Sequence, residues 1–461
     1  MTGTKSGVDA AVAAIRALKM VQAGEPLTEE GRAAIAAWRG WGPLTTLFDG
    51  RHDYYETVKE GKLALQDVLV ESEFETAKRA TLNAYYTPGW LIEHIWRIVG
   101  AAGFTGGRVI EAGCGAGRFF AHAPDGCDLY GIEVDHLSAL AASINFPHAE
   151  IVRERFENVE IGSETFDIAV GNVPFGKDKP YDPIDNADKL SIHNYFLLKL
   201  LRTVRVGGLV AVITSRFTLD AGNPKSRDSI SRYGELVAAL RLPNGTFSQE
   251  GTDTAADLLV FRRPEAKIEA TADPTWRNAV QVPFPPRGYK RRGESTHYLR
   301  NAVFGSHGII VGEADRSYGM YSGDDVKIHV IDGTIVDAVA AVIPTIVKTV
   351  EGSYTPRSAD GVDAPVLVST KDRVLPGTIR VNNGGDGFER YYASTRSWCQ
   401  HDPGKDGAEL RRLIGLRDAA IAVLRGRTGV DVSDLNRSYD EYLSAHGPLN
   451  RRGGSEFRPR F

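Results

Sequence analysis

The spacing of hydrophobic positions changes along this chain of 461 residues. Apolar residues recur at intervals of three and four over residues 8–80, a pattern typical of amphipathic helices. Between 105 and 263, short apolar segments alternate with helical patterns, which indicates a mostly parallel sheet with helices on both faces. Strands are predicted at 108–112, 128–133, 166–171, 208–214, 236–241 and 256–262.

The pattern changes again after Arg263, where prolines become frequent and periodic apolar positions become rare. Residues 309–392 are predicted to be β-rich, apart from a helix at 333–350, and a helical spacing returns at about 406–446. The predicted fold class is α/β, with a Rossmann-like doubly wound sheet, an N-terminal helical region and a C-terminal α+β region. We place the three regions at 1–80, 81–265 and 266–461.

Composition narrows the class of protein. A net charge of −4 and a pI of about 6.3 are not those of a strongly basic nucleic-acid binder, so contacts with DNA must come from local patches. Three widely spaced cysteines exclude a disulfide framework and a CxxC-type zinc site, and the histidines lack ligand-like spacing, so no metal is expected. No apolar run approaches membrane-spanning length. We therefore expect a cytoplasmic protein that does not bind a membrane.

A glycine-rich segment follows the first predicted strand of the sheet. Residues 111–117 read Glu-Ala-Gly-Cys-Gly-Ala-Gly, and a helix is predicted directly after them. The glycines let the backbone pass close to a ligand, and a helix N-terminus offers free N–H groups to a carboxylate or phosphate. Glu133 ends the next strand, where a ribose diol lies in a doubly wound sheet. Nicotinamide-dependent enzymes use the same features, so these residues alone predict only a ligand that contains ribose.

A second motif, Asn172-Val173-Pro174-Phe175, ends a later predicted strand. The amino group of adenine is a poor nucleophile because its lone pair is delocalised into the ring, so a catalyst must accept hydrogen bonds from both of its N–H groups. The Asn172 side-chain oxygen and the Val173 carbonyl are suitable acceptors, and the Phe175 ring can stack on the base. Pro174 disfavours the α region at Val173 and so presets that carbonyl. Taken alone, the motif also fits an ordinary turn at a strand end.

Several motifs follow one another in the order of a known family. They are Tyr85-Tyr86-Thr87-Pro88, the loop 111–119, Glu133, Phe156-Glu157, the Asn172 motif and Val206-Gly207-Gly208. Their order resembles that of S-adenosylmethionine-dependent N6-adenine DNA methyltransferases. Residues 10–265 are similar to the methylase portion of large methylase–helicase proteins of phages and conjugative plasmids. In the family's commoner loop, Asn-Pro-Pro-Tyr, the first proline corresponds to Val173 here and the tyrosine to Phe175.

The resemblance implies that S-adenosylmethionine is the cofactor and that its methyl group passes directly to N6 of an adenine flipped out of DNA. The cofactor-binding residues that it implies are Tyr86, Thr87, Pro88, Glu111, Gly113, Gly115, Glu133, Phe156 and Glu157. The catalytic residues that it implies are Asn172, Val173, Pro174 and Phe175. Phe247, carried over from the family's position before the last core strand, would clamp the adenine against Phe175.

Three further segments are candidates for contact with DNA. The densest cluster of cations outside the predicted methylase core is Lys290-Arg291-Arg292, which suits phosphate contacts but also simple solvation. The polar and acidic loop 177–191 is predicted to be mobile, and its Tyr181 is a second candidate for a base contact. Two tryptophans, Trp38 and Trp41, lie at a helix end beside Gly and Pro, where packing is favoured over stacking on a base.

The expected partners are DNA and, because a helicase follows this region in the proteins it resembles, a separately encoded helicase. Two alternative functions remain open at this stage. One is methylation of an exocyclic amine of RNA or of the amide of a protein glutamine, since enzymes that methylate those groups use the same Asn-x-Pro-aromatic loop. The other is a catalytically inactive methylase fold that binds DNA or a helicase.

Overall fold

The N-terminal part of the chain forms five helices in the computed structural model, which describes residues 2–48, 55–83, 87–248, 254–265, 275–285, 296–318, 324–357, 367–369, 378–382, 384–392, 397–424 and 431–448. The helices are α1 (Thr2–Gln22), α2 (Glu29–Ala37), α3 (Thr45–Phe48), α4 (Glu56–Gln66) and α5 (Glu71–Asn83). Thr28 caps α2 by accepting a hydrogen bond from the Gly31 N–H. Trp38 and Trp41 are buried in the helices' shared core, with ring centroids 5.2 Å apart. The predicted packing of these tryptophans is confirmed.

The described residues beyond α5 contain both strands and helices. The strands are β1 (Gly107–Ala112), β2 (Cys127–Glu133), β3 (Glu150–Arg153), β4 (Val159–Glu160), β5 (Phe166–Asn172), β6 (Val204–Ser215), β7 (Glu235–Leu242), β8 (Ala256–Arg262), β9 (Ala279–Pro283), β10 (His297–Asn301), β11 (Ile309–Ile310), β12 (Glu313–Tyr318), β13 (Asp324–His329), β14 (Val368–Ser369), β15 (Ile379–Val381), β16 (Phe388–Tyr392) and β17 (Ser397–His401). The helices are α6 (Gly89–Ala101), α7 (His136–Asn145), α8 (Ile192–Thr203), α9 (Phe217–Asp220), α10 (Lys225–Ser231), α11 (Ile335–Val350), α12 (Gly407–Leu424) and α13 (Val432–His446).

An eight-stranded sheet has the order β11-β7-β8-β6-β5-β1-β2-β3. All of its strands are parallel except β8, which runs antiparallel to both of its neighbours. All six strands predicted from the apolar segments are present, with bounds within a few residues of the prediction. The predicted fold class, an α/β Rossmann-like doubly wound sheet with an N-terminal helical region and a C-terminal α+β region, is confirmed.

The order of the strands places a crevice beside β1. From β1 the chain builds β2 and β3 on one side, and it then returns to build β5 and β6 on the other. Loops that leave the carboxyl ends of β1 and β5 therefore diverge, and ligands of open α/β sheets bind in the gap between such loops. The glycine-rich segment follows β1, and Asn172 is the last residue of β5.

The described chain divides into two compact units, Met1–Lys371 and Asp372–Phe461. In the first unit, β11 pairs with β7, and α11 buries Val339, Ile343 and Ile346 in the same core as the sheet. Part of the region beyond 265 thus completes the sheet's own core, and the functional division at 265/266 stays a prediction. In the second unit, Phe388 on the sheet β15-β16-β17 packs against α12. None of the described helices has the length and hydrophobicity needed to cross a bilayer.

Candidate active site

The turn after β1 approaches the end of β2 closely. Gly113, Gly115 and Gly117 have φ angles of 79°, 55° and 83°, in the left-handed region that glycine adopts without strain. The N–H groups of Gly113 and Cys114 both donate to the carbonyl of Ile132, at 2.7 and 3.1 Å. A Cβ atom added to Gly113 would meet no described atom within 4 Å, so this side of the turn borders open space.

The prediction of a helix directly after this turn is wrong. Only a short 3-10 turn, Phe120–His122, lies between the glycines and β2. The left-handed conformation of Gly117 interrupts any helix that starts in the turn, and a Cβ at this position would lie 2.6 Å from the Phe146 ring. The N–H groups that are predicted to contact a ligand here therefore belong to a tight turn rather than to a helix N-terminus.

Glu133 connects the glycine turn to the segment after β2. One carboxylate oxygen accepts a hydrogen bond from the Gly115 N–H and the other from the Asp135 N–H, both at 2.8 Å. Burial raises the pKa of this carboxyl to about 7, although the two N–H donors oppose the shift. The N-terminal helices reach the same place, because Trp41 Nε1 donates to Asp135 Oδ2 at 3.1 Å.

A second buried carboxyl, that of Glu111, lies between the ends of β1 and β5. Burial, and after it the charge of Glu133, raises the pKa of Glu111 well above its usual range. A Cβ at Gly171, on β5, would lie 3.2 Å from Glu111 Cγ, so glycine leaves the room that this side chain needs. Glu111 Oε2 has no hydrogen-bond partner among the described residues, and a buried oxygen of this kind is suited to a polar or cationic ligand.

The motif that starts at Asn172 meets the segment before α6. Asn172 Nδ2 donates to Thr87 Oγ1 at 3.2 Å, joining residues 85 positions apart. Thr87 is buried, and Pro88 directly precedes α6. The N–H of buried Val173 donates to the carbonyl of Ile213 on β6 at 3.0 Å, which fixes the backbone at the end of β5.

The two aromatic residues predicted to clamp a base both lie in the main core. Phe175 is 8% exposed and Phe247 is 1% exposed. Asn244, in the loop before Phe247, exchanges two backbone-directed hydrogen bonds of 2.9 Å with Ile328 on β13. The clamp stays a prediction, and for Phe247 it requires that the ring be uncovered when the base enters.

His193 contacts the backbone at the far end of the predicted catalytic motif. Its Nδ1 lies 3.1 Å from the Gly176 carbonyl, and its Nε2 lies 3.2 Å from Ser191 Oγ. Burial lowers the pKa of His193 to about 4, so the ring is neutral at physiological pH and Nδ1–H donates to the carbonyl. Isolated in the sequence, this histidine gives no signal of its contact with the motif.

The other cofactor-binding candidates differ in placement. The Phe156 ring is buried against Tyr195 and Phe196, and its carbonyl accepts a hydrogen bond from Lys199 at 2.8 Å. Glu157 accepts a hydrogen bond from Arg155 at 2.7 Å. Three of the predicted DNA contacts and one cofactor contact lie outside the described residues, namely Lys290, Arg291, Arg292 and Tyr86.

The loop 177–191, predicted to be mobile, is tied to the fold by buried polar side chains. Lys199 Nζ donates to Asp182 at 3.1 Å and to the Val159 carbonyl at 3.0 Å. Asn186 bonds to the backbone of Pro180 and Leu190 within the loop. Sequence reasoning missed this anchor because an acidic loop looks solvated until its partner, a lysine on α8, is placed beside it. Within the described part of the chain, no group of His, Cys, Asp or Glu side chains is arranged to hold a metal ion.

Comparison with known proteins gives one curated relative. No family model matches the chain. The chain is 31% identical over 198 residues to "Defense against restriction protein B" of Escherichia phage P1, an alignment that covers 41% of this chain and 9% of that protein. The chain therefore spans about a tenth of the length of the curated relative that it matches.

Solved structures with a similar arrangement include methyltransferases. One is the type I restriction-modification system methyltransferase subunit from Streptococcus thermophilus, with 13% identity and a TM-score of 0.39 over 79% of this chain and 77% of that chain. Another is the N-methyltransferase NodS from Bradyrhizobium japonicum in complex with S-adenosylhomocysteine, with 16% identity and a TM-score of 0.30 over 42% of this chain and 100% of that chain. The fold class rests on the sheet order of the chain itself.

Proposed function

We propose that this protein is an S-adenosylmethionine-dependent methyltransferase that modifies N6 of adenine in DNA. The observation that carries the proposal is the position of Asn172. It ends β5, it is bonded to Thr87, and it directly follows Gly171, which lies against Glu111. An acceptor for an amino group thus lies beside the crevice in which a doubly wound sheet binds its cofactor.

The residues around the crevice fit this cofactor. Glu133, at the end of β2, is the acceptor for the ribose hydroxyls, and the open side of Gly113 lets the ligand approach the backbone. The oxygen of buried Glu111 that has no partner among the described residues suits the amino group of the methionine part, and Thr87 and Pro88 close the site from the side of α6. When bound, S-adenosylmethionine supplies an electrophilic methyl group.

The chain's own part in the reaction is to position the amine. The Asn172 oxygen and the Val173 carbonyl accept hydrogen bonds from the two N–H groups of the adenine amine, which draws its lone pair out of conjugation. Pro174 presets the Val173 carbonyl, and Phe175 stacks on the ring. A base inside duplex DNA must first be flipped out, because N6 is paired and stacked there. Holding the amine in line with the methyl group lowers the entropic part of the barrier.

The biological setting that we propose is a mobile element. The phage P1 relative is named for defense against restriction, which supports a role connected with restriction-modification or its evasion. DNA is the proposed substrate, and a separately encoded helicase is the proposed protein partner. Methylation of RNA or of a protein glutamine, and an inactive DNA-binding module, are the competing functions.

A substrate comparison tests the proposal. Purified protein is incubated with S-adenosylmethionine carrying a tritiated methyl group and with DNA, structured RNA or a peptide release factor. We expect label in DNA alone, and N6-methyladenine when the DNA is digested and analysed by mass spectrometry. Label in RNA or peptide would overturn the choice of DNA. Calorimetric binding of the cofactor without label in any substrate would identify the inactive module.

A further inference from the structure

A second aromatic residue lies at the same edge of the sheet as the catalytic motif. Strand β6 runs parallel to β5, with Ile213 opposite Asn172. The chain that leaves β6 therefore passes beside the motif, and α9 starts there with Phe217. Four residues beyond Ile213 span at most roughly 13 Å, and adjacent strands are about 4.8 Å apart, so the Cα atoms of Asn172 and Phe217 are at most roughly 18 Å apart.

The exposure of Phe217 differs from that of its neighbours. The ring is 51% exposed, whereas Thr218, Leu219 and Asp220 are fully buried. The guanidinium of Arg216 lies over the Phe217 ring, 4.1 Å from its centroid. An apolar ring is thus presented to solvent with a cation behind it, at a position adjacent to the proposed active site.

The short helix α9, which carries Phe217, is held in place by buried charge pairs. Asp220, the last residue of α9, accepts hydrogen bonds from Arg241 at 2.7 Å and from the Asn301 N–H at 2.9 Å. Arg241 in turn forms two hydrogen bonds with Asp257 on β8, at 2.8 and 2.9 Å. All of these side chains are buried, so α9 cannot shift without separating charges in the interior.

We propose that Phe217, backed by Arg216, is a stacking platform for a base that flanks the target adenine on its DNA strand. This inference rests on the proposed function. Flipping the target out of the helix unstacks its neighbours, and an aromatic ring replaces lost stacking with any base because every base has a π face. At 3.4 Å per base step, roughly 18 Å is the span of about five nucleotides, so the platform reaches bases within about five positions of the target. Arg216 adds attraction for the polyanion and for the stacked ring.

The test compares Phe217→Ala with Phe217→Tyr and with a control, Leu63→Ala, whose side chain on α4 is 62% exposed. The probes are fluorescent 20-nucleotide single-stranded and duplex oligonucleotides, read by anisotropy. Because it loses one stacked base, the Phe217→Ala variant should bind about 5- to 150-fold more weakly than the wild type. The affinities of the other two variants should stay within about twofold of wild type. Calorimetry of S-adenosylmethionine should give wild-type affinity for all three, because the ring lies outside the assigned cofactor site.

An abasic scan locates the base. Nucleotides on either side of a methylated adenine are replaced one at a time by an abasic unit. One replacement should weaken binding by the wild type and leave binding by Phe217→Ala unchanged, because the stacking contact is then already lost. If the wild type methylates DNA while Phe217→Ala binds every oligonucleotide as tightly as the wild type, the inference is overturned and the proposed function stands. If the wild type labels RNA or protein instead of DNA, the proposed function fails and this inference fails with it.

Discussion

Two buried carboxyl groups with different surroundings define the candidate cofactor site at the scale of single residues. Glu133 receives two backbone N–H donors, and its pKa is raised to about 7, whereas Glu111 has one oxygen without a partner among the described residues and its pKa is raised well above its usual range. The hydrogen bonds to the ionised form of Glu133 offset part of the cost of its burial. A cationic ligand lowers the pKa of both groups, so binding and ionisation are linked.

The pH dependence of cofactor binding follows from Glu133. Only the ionised carboxylate accepts hydrogen bonds from both ribose hydroxyls, so the contribution of Glu133 to the affinity for S-adenosylmethionine should rise with pH and level off above about 7. Below pH 7, calorimetry should show losses of up to about tenfold per pH unit. The cofactor-free protein should lose stability as pH rises from 4.5 towards 7, because its folded form holds the proton more tightly than the unfolded form.

Two variants separate the role of the charge from that of the side chain. Glu133→Gln should remove the part of the pH dependence that comes from this carboxyl and leave the part that comes from Glu111, and Glu133→Ala should weaken binding by roughly 1.5–3 kcal/mol because the ribose hydroxyls lose a charged acceptor. Unchanged affinity in Glu133→Ala would mean that the carboxylate only organises the glycine turn through Gly115.

Replacing Asn172 tests the catalytic motif itself. Asn172→Ala removes one of the two acceptors for the amine and leaves Glu111 and Glu133 in place. We expect methyl transfer to fall below about a tenth of the wild-type rate, as is typical when one preset polar group of an active site is lost. Cofactor affinity, measured by calorimetry on the same sample, should change little. Activity above a tenth of wild type would contradict the mechanism.

At the scale of elements, α8 connects both sides of the candidate site. Its Lys199 donates to the carbonyls of Phe156 and Val159, in the segment after β3, and to Asp182, in the loop after the catalytic motif. Tyr195, one turn earlier on α8, donates to the same carboxylate at 2.8 Å. A single buried ammonium group therefore holds together a segment that is predicted to bind the cofactor and a loop that is a candidate for contact with DNA.

Removal of this ammonium group should destabilise the fold. Lys199→Met keeps most of the side-chain volume but leaves Asp182 buried without its cation, so we expect a loss of about 3–5 kcal/mol in the free energy of unfolding, measured by urea titration. The matched control is Lys225→Met, whose exposed side chain also contacts an aspartate, Asp188, and should cost less than about 1 kcal/mol. Equal effects of the two variants would show that the buried pair is not a structural anchor.

Charge is the property that matters most at the scale of the whole molecule. The chain carries 55 basic and 59 acidic residues, so a protein that acts on a polyanion must concentrate cations on one face. Several of its arginines are already paired inside the protein, as Arg241 is with Asp220 and Asp257. Under the proposed function, cations in unpaired clusters, rather than the total charge, therefore decide where DNA binds.

Charge reversal tests the densest cluster of cations outside the predicted methylase core. Changing Lys290, Arg291 and Arg292 to Glu should weaken DNA binding for all sequences and lower the salt dependence by up to about one unit of slope per lost phosphate contact. Cofactor binding should persist. The matched control reverses the same number of cations on the N-terminal helices, at Lys59, Lys62 and Lys78. Anisotropy at several salt concentrations that gives wild-type affinity and slope for the first variant would show that the cluster is only solvated.

The sequence by itself determined the strands, the fold class and the positions of the main motifs. Apolar segments of four to eight residues bounded by turn residues are a local signal, and each of the six predicted strands is in the sheet. The placement of Gly113, Glu133 and Asn172 at strand ends followed from the same signal. A motif that follows or ends a parallel strand lies at the carboxyl-end side of the sheet, whichever position that strand takes in the sheet.

Only the tertiary structure decided which distant residues meet. The bond between Thr87 and Asn172, the pairing of Lys199 with Asp182 and the burial of Phe247 depend on the order of strands in the sheet, which local spacing does not encode. The tertiary structure also left Phe217 exposed between buried neighbours. Periodicity reports how a residue relates to the few positions around it, whereas burial and partners are set by segments that are far apart in the chain and are brought together by the packing of the whole sheet.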